Sequence, residues 1–128
     1  MSSPASHIVS WFEIPSVDFE RAVRFYETAL GTTLRREDFG GQPMGIFPYA
    51  EPATGGCIVA KTKASPSTDG VLIYLNAQPS VDAVLARVEK AGGKVDGPVV
   101  ELPQGIGFIG FIIDTEGNRV GLHSPTNG

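Results

Sequence analysis

The sequence predicts an α+β fold in which two β-α-β-β-β modules form curved sheets around a cleft, and three observations carry that expectation. Extended and helical patterns follow in the same order in both halves of the 128-residue chain. Each half holds one amphipathic helical stretch closed by glycine, Gly31 in the first and Gly92-Gly93 in the second. Each half is also only about 60 residues, too small to bury one face of its own sheet, so the halves must pack on each other or on a second chain.

The elements can be justified in order. Residues 8–14, Ile-Val-Ser-Trp-Phe-Glu-Ile, are β-branched and aromatic and stop at Pro15, as a strand does. From Asp18 the apolar positions Phe19, Ala22, Val23, Tyr26, Ala29 and Leu30 recur at three-and-four spacing, with Asp18 as N-cap and Gly31 as C-terminal cap. Extended segments follow at 32–39, about 43–49 and 56–61, separated by Gly40-Gly41 and by the Pro- and Gly-containing run 51–56. The segment 63–69, rich in Ser, Pro and Thr, reads as the linker between module 1 (about 7–62) and module 2 (about 70–124). In the second half, residues 71–75 read as a strand, and Val81, Val84, Leu85, Val88 and Ala91 give a second amphipathic helix. Strands are expected at about 94–101, 106–113 and 118–123. The tetrapeptide Pro-Ser-Val-Asp occurs at 15–18 and again at 79–82, whereas matching the helices by length pairs Asp18 with Ser80 and shifts the register by two.

Composition narrows the function classes. Hydrophobic residues make up 41% and charged residues 19%, enough for a packed core and unlike a disordered, charge-rich chain. Net charge is −4, and apart from Arg35-Arg36 and Lys61/Lys63 the basic residues are scattered, which argues against a nucleic-acid partner. No apolar run approaches the roughly 20 residues needed to span a bilayer. The N-terminal residues lack the basic and apolar regions of a signal peptide, so the expected location is cytoplasmic. One cysteine, Cys57, excludes an internal disulfide, and two histidines, His7 and His123, leave few ways to build a metal or nucleophile site.

The run Trp11-Phe12-Glu13-Ile14-Pro15, the turn at Asp18, Phe25-Tyr26 and Leu30-Gly31 occur in an order with a known parallel. With Gly92-Gly93 and the turn Asp114-Thr115-Glu116-Gly117-Asn118, they resemble the vicinal oxygen chelate superfamily, which includes glyoxalase I, bleomycin-resistance proteins, extradiol dioxygenases and other glyoxalase-like proteins. Thr115 stands where that family usually has Pro, a change the turn tolerates. The resemblance implies a position for each of four metal-ligating side chains, which are His, Gln or Glu in the metal-dependent members. The first falls on Trp11. The second-half position falls on Ile73, or on Val71 if the turn at Gln78-Pro79 carries an insertion. The last strand's position falls on Gly121, and the fourth lies within residues 56–60, where only Cys57 has a donor atom. The expected cofactor set is therefore none, with a divalent metal weighed and disfavoured.

Strand alternation puts Glu13 on the face of Trp11, and Arg119 and His123 on the face of Gly121. If those faces line the cleft, Glu13 and His123 form a candidate acid/base pair. Alternatively Glu13 pairs with Arg119 or a backbone donor, and His123 ends its strand in solvent. Trp11, Ile73, Arg119 and Gly121 are the candidate ligand-binding positions, with Trp11 either a pocket wall for a planar ligand or ordinary core. His7 reads as a surface residue, Cys57 as a buried structural thiol, and Phe25 and Tyr26 as helix-to-sheet packing. Three functions remain open. One is a glyoxalase-like protein that binds a small organic molecule between its modules without the family's metal, with catalysis undecided. Another is a lyase or isomerase of α-oxo compounds with a relocated site built from Glu13 and His123, with Cys57 as a further candidate member. The third is a drug-binding or sequestering resistance protein. Open sheet edges predict a homodimer, with modules pairing within one chain or between two.

Overall fold

The computed structural model describes residues 8–60 and 65–128. Module 1 consists of β1 (Trp11–Ser16), α1 (Phe19–Leu30), β2 (Arg35–Phe39), β3 (Gln42–Ile46) and β4 (Gly55–Ala60). Module 2 consists of β5 (Tyr74–Asn76), α2 (Val81–Val88), β6 (Lys94–Val95), β7 (Val100–Leu102), β8 (Gly107–Ile113) and β9 (Arg119–Ser124). The strand orders are β1-β4-β3-β2 and β5-β9-β8-β6, with β7 also paired to β8. In both sheets the first strand runs parallel to the last, and the other pairs are antiparallel. The α+β order of two β-α-β-β-β modules is thus the one the sequence predicts.

Three boundaries differ from expectation. β1 begins at Trp11 and runs through Pro15, which is tolerated because β1 is the outer strand of its sheet and needs no amide on its free edge. The segment expected as one strand over 94–101 is two short strands, because the bend at Gly97-Pro98 interrupts the pairing to β8 after the Asp96 N–H has donated to the Phe111 carbonyl at 2.8 Å. The strand expected over 71–75 is paired only from Tyr74, although the Ile73 carbonyl still accepts the Gly121 N–H at 2.8 Å.

The helix starts show how the halves correspond. Asp18 accepts the Arg21 N–H at 3.1 Å, and the Ser80 hydroxyl accepts the Ala83 N–H at 3.1 Å. Ser80 is therefore the counterpart of Asp18, and the repeated Pro-Ser-Val-Asp is not a structural repeat, since its second Asp, Asp82, lies inside α2. α1 ends on Gly31, whose φ of 67° is the left-handed conformation that glycine adopts without a Cβ penalty. One difference separates the modules. The core-facing residues Phe12, Ile14 and Ser16 lie six, four and two positions before Asp18, whereas Ile73, Leu75 and Ala77 lie seven, five and three before Ser80. The second strand-to-helix connection is one residue longer.

Both helices lie in one shared core. Val23, Phe25, Tyr26 and Ile58 of module 1 cluster with Leu75, Val81, Val88, Ile112 and Leu122 of module 2. Each helix closes onto a glycine in the third strand position of its module. A Cβ at Gly45 would come 2.9 Å from Val23, and one at Gly110 would come 3.0 Å from Val81. Among the described residues, no helix is long and apolar enough to cross a membrane.

The turn at 114–118 ties the modules together. The Glu116 carboxylate accepts the N–H groups of Val17 and Asp18 at 2.9 and 2.7 Å, ahead of the first turn of α1. It also takes Arg21 Nε at 2.8 Å and the Thr115 hydroxyl at 2.7 Å. Asp114 accepts the N–H groups of Glu116 and Asn118 on one oxygen, and the Tyr26 hydroxyl at 2.6 Å and the Asn118 amide on the other. The Asn118 amide also reaches the Pro15 carbonyl at 2.9 Å, and its oxygen takes the Ser67 N–H at 3.2 Å, which holds Ser67 beside the start of β9.

The Glu116 side chain is fully buried while Arg21 is half-exposed. Burial alone would raise the carboxyl pKa, but the bonds from Arg21, the Asp18 amide and Thr115 outweigh it and hold the group at about 2, against an ordinary 4.5. Because the folded-state pKa is depressed, this stabilisation is complete above about pH 4.5 and is lost as pH falls toward 2. Glu116→Gln is expected to cost about 2 kcal/mol in urea unfolding at pH 7. The difference between variant and parent should shrink between pH 4.5 and 2. A pH-independent difference would refute the assignment of the charge to this site.

Candidate functional site

Each sheet buries one face in the shared core and turns the other, its open face, away from that core, although Met44, Ile46, Cys57 and Val59 on the open face of the first sheet are themselves buried. On the open face of the first sheet, Trp11 packs beside Met44, Ile46, Cys57 and Val59, a cluster without any module 2 residue among the described residues. Tyr49 meets Trp11 edge-to-face at 5.9 Å between ring centroids. Glu13 sits on this face and is the register partner of Cys57. Burial, and secondarily the Glu13 charge, push the Cys57 thiol up to about 11, so it stays protonated at neutral pH.

On the second open face, Tyr74 and Asn76 of β5 pair with Gly121 and His123 of β9. Gly121 is buried beneath the Tyr74 ring, which occupies the space a side chain would need. Arg119 is paired to Asp96 at 2.8 Å and lies 4.2 Å from the centroid of Phe111. His123 Nε2 lies 2.8 Å from the Ile106 carbonyl. A cavity of about 530 Å³ opens on this face, bordered by Tyr74, Asn76, Gln78, Leu102, Ile109 and His123. A second cavity, of about 360 Å³, lies in the seam between modules and is bordered by Glu13, Pro15, Ser67, Ile73 and Arg119.

The candidate residues therefore separate. Glu13, Ile73 and Arg119 border the seam cavity, with Arg119 ion-paired to Asp96 rather than Glu13. His123 borders the larger cavity, so within one chain it and Glu13 face different spaces. Trp11 belongs to the open-face cluster of module 1, and Gly121 lies under Tyr74. His7 lies outside the described residues. The wall residues Tyr74, Asn76, Gln78, Leu102 and Ile109 were not among the sequence candidates. Alternation along residues 71–76 was the available signal, but it points the wrong way unless the extra residue before Ser80 is known.

That extra residue also decides the family's metal positions. Ile73 packs toward the core, and alternation gives the open-face counterpart of Trp11 to Leu72. Cys57 and Gly121 are counterparts on β4 and β9. An indole, an alkyl chain, a protonated buried thiol and a hydrogen atom do not fit a divalent ion. Among the described residues, no three His, Cys, Asp or Glu side chains gather elsewhere for one.

This geometry agrees with the kinship of the chain. Residues 7–122 match the family model of the Glyoxalase/Bleomycin resistance protein/Dioxygenase superfamily, and the chain belongs to that family. A glyoxylase-like domain-containing protein of Didymella fabae is 30% identical over 120 residues, covering 86% of this chain and 88% of the relative. Among solved structures, an antibiotic binding protein from a Streptomyces species is 27% identical with a TM-score of 0.67, covering 98% of this chain and all of the other. A glyoxalase I mutant from Zea mays shares the fold at a TM-score of 0.68 and 23% identity, covering 90% of this chain. This chain spans only 46% of the maize chain, about half its length.

The protonated state of Cys57 has a measurable consequence. At pH 8, iodoacetamide should alkylate it roughly a hundredfold more slowly in the native protein than in urea, because thiolate is scarce and the sulfur is covered. Equal rates would show an exposed, activated thiol.

Proposed function

We propose that this protein binds a small, flat organic molecule in the cavity on the open face of its second sheet, and does so without a divalent metal. The observation that carries this reading is the cavity itself, about 530 Å³ with Tyr74, Leu102 and Ile109 as apolar wall and Asn76, Gln78 and His123 as polar groups. That size and mixture suit a drug-sized ligand. The antibiotic binding relative from Streptomyces supports a binding role, and the donor-poor positions at Trp11, Leu72, Cys57 and Gly121 support the absence of a metal. Binding of this kind also suits a sequestering resistance protein.

A second copy of the chain is the proposed partner. Phe39, Tyr49, Tyr74 and Val100 are 64%, 40%, 48% and 44% exposed, so apolar surface on both open faces is left for a partner to cover. The alternative of a lyase or isomerase would need Glu13 and His123 at one ligand, and only a second copy would bring them together.

Two measurements test the proposal. In thermal unfolding, a panel of planar aromatic antibiotics should contain members that raise the melting temperature, while nickel, zinc and manganese leave it unchanged. Stoichiometric metal in the purified protein, or a clear metal-induced rise, would overturn the metal-free reading. Light scattering on a sizing column should give twice the chain mass at micromolar concentration, and a monomer would remove the second copy from the site.

A further inference from the structure

Two side chains in the larger cavity have their hydrogen-bonding polarity set by the backbone around them. Asn76 and His123 are register partners across β5 and β9, so they stand side by side on the open face. The Gln78 N–H donates to Asn76 Oδ1 at 2.8 Å, which orients the amide and leaves its Nδ2 as the group free to donate. The Ile106 carbonyl, 2.8 Å from His123 Nε2, can only accept, so Nε2 carries the proton and Nδ1 of the neutral ring is an acceptor. A donor and an acceptor are thus held next to each other at the polar side of a cavity otherwise walled by Tyr74, Leu102 and Ile109.

We propose that this pair reads the cis-amide edge of a neutral, planar lactam. The lactam carbonyl accepts from Asn76 Nδ2, and its N–H donates to His123 Nδ1. In a lactam the two groups sit on adjacent ring atoms and point the same way, which is what two neighbouring side chains on one sheet face require. An anionic ligand fits less well, because among the described residues no Lys or Arg borders the cavity. Both orienting partners are backbone atoms, so the arrangement is in place before a ligand arrives, which reduces the ordering cost of binding. The inference rests on the reading of this cavity as the ligand site and names the chemistry it selects.

The probes are phenanthridinone, its N-methyl derivative and a ring-carbon methyl isomer of the same size, titrated calorimetrically into the full chain. The parent and the ring-methyl isomer should bind alike, and N-methylation should weaken binding about tenfold through loss of the His123 bond. Asn76→Leu, an exposed position away from the core, should weaken the parent and the N-methyl compound alike, each about tenfold, because both keep the carbonyl that Asn76 reads, so that the tenfold gap between the two compounds persists in the variant. An unchanged melting temperature in the absence of ligand would show that the variant is folded. Equal affinity for the parent and N-methyl compounds, with amide shift changes at His123, would overturn edge reading while leaving the cavity as a binding site. Failure of all three probes to bind would overturn the inference, and the binding-site reading falls with it only if the antibiotic panel also binds nothing.

Discussion

The buried Glu116 carboxylate, seated against the start of α1, is the interaction on which the rest of the molecule depends. It belongs to the second module, yet it accepts the Val17 and Asp18 amides and the Arg21 guanidinium of the first. An unpaired carboxylate with no exposed surface would be prohibitively costly, so burial at this place requires that all of those donors be present together. The field at the start of a helix favours the negative charge as well. Asp114 and Asn118 extend the same turn to Tyr26, Pro15 and the linker, so a five-residue turn holds a helix, a strand and the connection between modules in one arrangement. The same arrangement accompanies the shared core, in which α1 and α2 pack side by side.

With the helices committed to a common core, each sheet is left with an open face, and those faces are chemically unlike. The first carries Trp11, Glu13 and a covered Cys57, and the second carries Tyr74 over Gly121, with Asn76 beside His123. The positions that the family resemblance assigns to metal ligands hold an indole, an alkyl chain, a protonated thiol and a hydrogen atom. What remains is shape and hydrogen-bonding polarity: an apolar hollow with an oriented amide and an imidazole. The proposed binding role rests on such a surface, which would distinguish ligands by their outline and edge groups.

Much of the fold was legible in local patterns. Asp18 and Gly31 mark a helix because a short acceptor and a residue free to take positive φ satisfy its ends. The same periodicity marked α2, although the literal Pro-Ser-Val-Asp repeat suggested the wrong correspondence and the caps corrected it. Pro15 looked like a strand terminator because a lost amide usually breaks a ladder, and it does not do so on an outer strand.

The sequence by itself determined the order of elements, the family and the poverty of metal donors at Trp11, Cys57 and Gly121, since these depend on periodicity, end-capping and residue type. Tertiary structure alone decided which face Ile73 and Tyr74 occupy, since strand side chains alternate and one extra residue before Ser80 reverses every one of them. It also decided that Arg119 pairs with Asp96, that Glu116 reaches Arg21 across 95 residues of chain, and that Asn76 lies beside His123. Those pairings join residues far apart in sequence, and no local pattern encodes a distance that only the packing of two modules brings to a few ångströms.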